Sequence, residues 1–92
     1  MKLAEWIEAM SVPRGAVGIF WLGQAGFVFK LPSGGLIVID AYLTDCCERL
    51  YSFKRLTPSP ILPEELKADL LIASHSHEDH LDIDALPSLM NW

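Results

Sequence analysis

The 92-residue sequence lacks several features that would assign it to a class at once. No apolar run approaches the roughly 20 residues that span a membrane, and Glu5 and Glu8 interrupt the N-terminal stretch where a secretory signal would be continuous. Positive charge is also scarce: 7 Lys and Arg stand against 12 Asp and Glu, the net charge is −5, and Lys54-Arg55 is the only adjacent basic pair. We therefore expect a cytoplasmic protein with neither a membrane nor a nucleic acid as partner.

Cysteine is limited to the adjacent pair Cys46 and Cys47. Neighbouring cysteines rarely form a disulfide because the bond strains the peptide between them. No CxxC spacing or nearby histidine supports a cysteine metal site. The pair is interpreted as two small, semi-buried thiols.

What the sequence does contain is typical of a folded domain, with 51% hydrophobic and 21% charged residues. Apolar residues at helical spacing from Leu3 to Met10 predict a short amphipathic helix, with Trp6 in the core. Trp21 is likewise expected in the core.

Three β-branched and aromatic runs, each bounded by glycine or proline, predict strands at residues 16–22, 27–31 and 36–40. The Pro-Ser-Gly-Gly link favours an antiparallel hairpin between the second and third, and Gly23 to Gly26 forms a tight turn rather than a phosphate-binding loop.

The second half of the chain changes its periodicity. A helix of about ten residues is predicted after a Thr44 cap, followed by an extended proline-rich loop at 57–63 and a helical turn that begins at Pro63. Residues 69–74 are short and apolar, which suits a buried strand that delivers its last residues to a site. Asp82 or Asp84 would cap a final short helix interrupted by Pro87.

All three histidines of the protein lie within six residues, in the sequence HSHEDH at 75–80. In an extended segment His75 and His77 point to the same side, and after a bend Asp79 and His80 can face the same cavity. Imidazole and carboxylate ligands together suit zinc, manganese or iron. A solvated polar loop would explain one histidine, but three with an aspartate directly after an apolar strand indicate a metal-binding cluster.

The HSHEDH segment resembles the His-x-His-x-Asp-His signature of the metallo-β-lactamase superfamily. Residues 20–27 resemble the first hairpin of that fold, and residues 36–40 resemble its next strand, which ends in Asp40. The segment after Asp40 and the His-Leu-Asp ending are most similar to the ascorbate-6-phosphate lactonase-like branch. The resemblance implies an α/β (α+β) fold, namely the N-terminal half of an αββα sandwich with mostly antiparallel strands, so residues 1–92 would be a single partial domain.

The resemblance also implies a division of roles. His75 and His77 would bind a first divalent metal, Zn or Mn, while Asp79 and His80 would bind a second. With one metal, Asp79 would be the catalytic proton acceptor. Asp40 would accept a hydrogen bond from a ligand histidine, and no other cofactor is expected. Lys54 and Arg55 are either a solvated helix end or a contact for a substrate phosphate.

The chain departs from the superfamily pattern in one respect, since no histidine follows His80 to complete the ligand set. It is therefore expected to be a fragment of a metal-dependent hydrolase, possible substrates being a sugar phosphate, a lactone or, as an alternative, a phosphodiester. The competing interpretation is a catalytically silent, truncated remnant. Because half a sandwich would expose its inner face, a homo-oligomer is expected in either case.

Overall fold

A computed structural model describes residues 1–90 of the chain and confirms an α+β fold. The elements are α1 (Leu3–Ala9), β1 (Gly18–Trp21), β2 (Phe27–Lys30), β3 (Leu36–Ile39), α2 (Cys46–Tyr51), a 3₁₀ turn (Pro63–Glu65), β4 (Leu70–Ile72) and α3 (Leu86–Leu89). The four strands form one mixed sheet in the order β1-β2-β3-β4. Among the described residues, no helix is long and apolar enough to cross a membrane.

Two tight connections produce the antiparallel part of the sheet, as the sequence predicts. Gly23 adopts a φ of 87° in the turn between β1 and β2, a left-handed conformation that glycine tolerates without strain. Gly34 plays the same part between β2 and β3, with a φ of 92°. β4 then pairs with β3 in parallel, after a connection that contains α2 and the proline-rich segment. The parallel pairing brings the ends of β3 and β4 to the same edge of the sheet.

The covered face of the sheet holds the hydrophobic core. Val28 and Val38 are neighbours on adjacent strands and both are fully buried. Segments outside the sheet pack against them and complete the core, with buried side chains that include Ile7, Leu22, Ile61, Leu66, Ala68, Ala85 and Leu89. Burial of apolar surface on this face is the main source of the fold's stability.

The opposite face, here called the open face, carries two rows of apolar side chains. The strand registers align one row across the sheet as Ile19, Phe29, Ile37 and Leu70, and the other as Trp21, Phe27, Ile39 and Ile72. None of these eight is fully buried, and Trp21 remains 62% exposed. Residues 1–90 contribute no layer that buries them, which fits one half of a sandwich.

Lys30 is a buried cation on the covered face, only 8% exposed. Its Nζ donates hydrogen bonds to the carbonyl oxygens of Ile7 (2.5 Å) and Glu8 (2.9 Å), at the C-terminal end of α1. Terminal helix carbonyls lack intrahelical donors, so the ammonium group satisfies them and attaches α1 to the sheet.

Several predicted elements differ from the observed ones in extent or environment. α2 has six residues rather than about ten, because Ser52 turns into a left-handed conformation (φ 62°) and ends it. Its N-cap is Asp45 rather than Thr44. Pro87 lies in the first turn of α3, where proline is tolerated, and does not interrupt that helix.

Three predictions of burial were wrong. β4 is an edge strand rather than a buried one, and Leu70 is half exposed because it lies on the open face. Trp21 is exposed for the same reason. Trp6 is 54% exposed, since α1 buries mainly Ile7 and directs the indole outward. The cysteine interpretation was correct: both thiols are free, Cys46 is buried and Cys47 is half-buried.

Candidate metal centre

The histidines occupy the loop that follows β4, at the edge where β3 also ends. The backbone bends from Ser74 onward rather than continuing extended as predicted. The amides of His80 and Leu81 both donate to the carbonyl oxygen of His77, at 2.9 and 2.8 Å, and close a tight turn. This turn folds the second half of the motif back on the first.

The three imidazoles converge. The ring centroids of His75 and His77 are 4.6 Å apart, and those of His75 and His80 are 4.0 Å apart. Asp79 joins them, with its Oδ2 3.6 Å from Nε2 of His80. These four residues are called the histidine cluster below. The loop geometry thus brings together all four residues that the sequence predicts as metal ligands.

Asp40 supports the cluster from the end of β3. Its Oδ1 accepts a 2.7 Å hydrogen bond from the Ser74 amide, which ties the start of the histidine loop to β3. Its Oδ2 lies 3.2 Å from Nδ1 of His80. Burial alone would raise the pKa of this carboxyl, but hydrogen bonds from the Ser74 backbone and side chain, together with nearby His80, lower it below its ordinary value. Asp40 is therefore an anion beside the imidazole.

The Nδ1 atom of His80 is close to Asp40 yet poorly aligned with it, so that buried nitrogen makes no hydrogen bond despite the short distance. Buried polar atoms without a partner are rare, and a small rotation of the ring would let Nδ1 donate to Asp40 and leave Nε2 available to a metal. The donor set of three imidazoles and a carboxylate suits a divalent metal.

The side chains of the histidine cluster are not arranged around a metal position in their present rotamers. Within residues 1–90, no three His, Cys, Asp or Glu side chains direct their donor atoms to one metal position. The rings contact one another instead of pointing nitrogens to a common centre about 2 Å away, as ligation requires. The residues therefore fit a metal by chemistry and proximity, and binding would turn the rings.

Asp82 forms a second polar cluster behind the loop. It is 4% exposed, and its oxygens accept hydrogen bonds from the amides of Leu43 and Thr44, both at 2.9 Å, and from the Thr44 hydroxyl at 2.7 Å. The amides of Asp84 and Ala85 add two bonds at 3.2 Å. The sequence predicts only a helix cap at Asp82, since nothing in the local pattern indicates that Thr44 lies beside it.

Cys46 adds a further connection behind the loop. Its thiol contacts the Glu78 carbonyl oxygen at 3.6 Å. Burial raises the pKa of the Cys46 thiol to about 12, so this cysteine remains protonated and has a structural role.

A cleft of about 510 Å³ adjoins the histidine cluster. On one side lie His77, Glu78 and Asp79. The remaining walls are polar, aromatic and basic, formed by Gln24, Tyr42, Cys47, Tyr51, Phe53, Lys54 and Arg55. The Lys54-Arg55 pair is a candidate from the sequence, whereas Gln24 and Tyr51 are not, because only the tertiary fold brings them to the cleft.

Tyr51 links α2 to the histidine loop. Its hydroxyl donates a 2.8 Å hydrogen bond to Oε1 of Glu78, the residue between His77 and Asp79. This bond lowers the pKa of Glu78 and raises that of Tyr51, since it favours the ionised carboxylate and the neutral phenol. The bond helps to define the cleft wall beside the cluster.

The loop after the mixed sheet brings together three histidines and an aspartate, which are ligand types that metal-dependent hydrolases use. No protein-family model matches the chain. It is 38% identical over 78 residues to a UPF0173 metal-dependent hydrolase of Cupriavidus taiwanensis, which covers 84% of this chain and 25% of that protein. It is 36% identical to one from Polynucleobacter asymbioticus (83% and 26%) and 38% identical to one from Archaeoglobus fulgidus (68% and 22%).

These matches support a metal-dependent hydrolase family for this chain. The chain spans about a quarter of the length of these relatives.

Proposed function

We propose that residues 1–92 are a single partial domain, the N-terminal portion of a metallo-β-lactamase-like metal-dependent hydrolase, and that His75, His77, Asp79 and His80 are its metal ligands. The observation that carries this proposal is the meeting of three imidazoles and Asp79 at the edge of the sheet where β3 and β4 end. The similarity to relatives named metal-dependent hydrolases supports it.

The proposed chemistry assigns a task to each group. A bound divalent metal supplies an acidified water and polarises the scissile carbonyl or phosphoryl oxygen. The Asp79 side chain is 43% exposed, so with a single metal bound its carboxylate would be free to accept a proton from a nucleophilic water in the cleft. The Asp40 carboxylate faces Nδ1 of His80 and can fix the ring's tautomer by accepting its N–H. Either Zn or Mn suits the mixed nitrogen and oxygen ligands.

The proposed substrate is a small molecule with a hydrolysable lactone or phosphate ester, a sugar phosphate among the candidates. The 510 Å³ cleft beside His77 and Asp79 has a volume typical of small-molecule sites. Glu78 and Asp79 also line the cleft, and the basic residues Lys54 and Arg55 would contact an anionic group of the substrate. A phosphodiesterase activity would use the same metal ligands and differ only in the bond that is cleaved.

Metal binding is tested by calorimetric titration of the 92-residue chain with Zn²⁺ and Mn²⁺. We expect weak binding, above micromolar, because four ligands without a closing set leave the site open. Combined His75→Ala and His77→Ala should abolish it, while Ser76→Ala in the same loop is the matched control. Unchanged metal stoichiometry in the double variant would refute the ligand assignment.

A second candidate function, a catalytically silent remnant that associates with itself, is favoured by the open face. Eight apolar side chains in two rows form a contiguous surface that residues 1–90 leave uncovered. Such surfaces are rare on monomers, and a second copy offers the matching apolar surface. We propose a homo-oligomer that buries this face.

Sedimentation at micromolar concentration tests the association. Ile19→Lys puts a charge on the β1 side of the open face, where the side chain is 60% exposed, and should shift the chain toward monomer. Leu56→Lys is the control, because Leu56 is fully exposed outside the sheet. A soluble wild-type monomer would contradict the oligomer proposal and leave the metal proposal intact.

A further inference from the structure

The cleft beside the histidine cluster contains Arg55, an arginine that forms no ion pair with an acidic residue of the described part of the chain, residues 1–90. Nε of Arg55 donates to the Thr57 carbonyl oxygen at 3.0 Å, and Nη1 donates to the carbonyl oxygens of Tyr42 (2.5 Å) and Thr44 (3.4 Å). The guanidinium also lies 4.5 Å from the centre of the Tyr42 ring. Every one of these partners is neutral.

Arg49, an exposed arginine of the same chain, pairs with a carboxylate. Its guanidinium forms two hydrogen bonds with the Asp84 carboxylate, at 3.1 and 2.6 Å. The sequence holds 12 acidic residues against 7 basic ones, so carboxylate partners are plentiful. Within residues 1–90, the less exposed of these two arginines is the one without a carboxylate.

The second terminal nitrogen of Arg55 strengthens the contrast. Nη2 is buried and has no hydrogen-bond partner among the described residues. A desolvated donor of a charged group is costly unless a ligand or water satisfies it. Arg55 lines the cleft together with Lys54. A hydrogen-bond partner for Nη2 would therefore lie next to the space where a substrate would bind.

We propose that Arg55 and Lys54 form a subsite for an oxyanion, a carboxylate or phosphate group of the substrate, in the cleft next to His77 and Asp79. This inference rests on the proposed function, because it places the anionic end of the substrate opposite the hydrolytic centre. Nη2 of Arg55 offers N–H donors to the oxyanion, while the carbonyl contacts of Nε and Nη1 hold the guanidinium in place. Lys54 adds a second, flexible charge at the exposed side of the cleft.

The test is a titration of the metal-free 92-residue chain with inorganic phosphate and, separately, with acetate, at constant ionic strength. Binding is followed by the NMR shifts of the Arg55 Nε–H and the Gly23 amide. Metal removal ensures that phosphate does not bind through an ion in the histidine cluster. Stronger binding of phosphate than acetate would identify a phosphate subsite, and the reverse order would identify a carboxylate subsite.

Three variants define the subsite. Arg55→Gln should weaken anion binding roughly tenfold, because charge-assisted hydrogen bonds are lost. Lys54→Gln should weaken it about two- to fivefold and, being exposed, should leave the fold intact if Arg55→Gln does not fold. Arg14→Gln, an exposed arginine away from the cleft, is the matched control and should bind like wild type.

Equal affinity in wild type, Lys54→Gln and Arg55→Gln would overturn the subsite, as would a chain that binds neither anion. The outcome for the proposed function is independent. The His75→Ala and His77→Ala double variant should lose metal yet keep phosphate binding, so loss of one property does not imply loss of the other.

Discussion

The Asp82 carboxylate and the histidine cluster lie within one stretch of chain, residues 75–82, and differ in how well their polar atoms are satisfied. The Asp82 carboxylate is buried, and both of its oxygens accept short hydrogen bonds. In the histidine cluster the rings crowd at 4.0 and 4.6 Å, and within residues 1–90 Nδ1 of His80 lies 3.2 Å from Asp40 without an aligned hydrogen bond. The hydrogen bonds of Asp82 are all made within the described residues, whereas the histidine cluster offers donor atoms that suit a bound ligand.

The difference separates scaffold from site. A buried carboxylate is stable when several N–H and O–H groups point at it, and it then joins the segments that supply them. Asp82 joins the segment after β3 to the end of the histidine loop in this way. The histidines gain no comparable network, which is expected where a site is selected for binding rather than for stability.

Replacing Asp82 should have the largest effect. Asp82→Ala leaves several buried donors without an acceptor, so we expect a loss of about 3 kcal/mol or more in the free energy of unfolding. Urea denaturation followed by circular dichroism measures it. Asp84→Ala, which removes only the exposed pair with Arg49, is the control and should cost far less. Similar losses in both variants would remove the distinction between scaffold and site.

Much of the fold follows from the sequence because the relevant forces are local. The glycine-rich turns at Gly23 and Gly34 require left-handed backbone, and the β-branched runs beside them form the antiparallel strands. Burial was harder to predict, since Trp21 and Leu70 are apolar but lie on a face that this chain does not cover. Periodicity shows which residues share a face and does not show whether that face is covered.

The candidate site also contains some features that the sequence predicts and others that it does not. The histidine cluster was predicted because its members are close in sequence and share one chemistry. The bonds between Asp82 and Thr44 join residues 38 positions apart. The same is true of Tyr51 and Glu78, 27 positions apart. No local pattern identifies such pairs, because the fold alone brings them together.

Asp40 lies beside the histidine cluster, and its contribution to stability should depend on pH. Because its pKa is lowered in the folded state, its contribution to stability is fully present above the unfolded pKa near 3.8 and is lost as the pH falls through the lower folded value. Asp40→Asn removes this contribution. The stability difference between wild type and Asp40→Asn should therefore shrink as the pH is lowered from 5 toward 2, which urea titrations at each pH would measure.

A difference between wild type and Asp40→Asn that is constant across this pH range would contradict the charged role of Asp40. Asp69→Asn is a useful comparison. Its carboxylate also accepts a backbone hydrogen bond, from Leu36 at 2.7 Å, but it lies at the far end of β3 from the histidines. Only the Asp40 variant should also alter the ring resonances of His80.

The smallest effect is expected in the histidine cluster itself. His75 and His77 are exposed, and their rings contact each other rather than the core. Replacing both by Ala should change the free energy of unfolding by no more than about 0.5 kcal/mol in metal-free buffer, as is usual for surface positions. The same variant should lose metal binding. In the presence of Zn²⁺, wild type should gain stability in proportion to its affinity while the double variant does not. A large metal-free loss in the double variant would show that the histidines are structural, and the contrast with Asp82 would then fail.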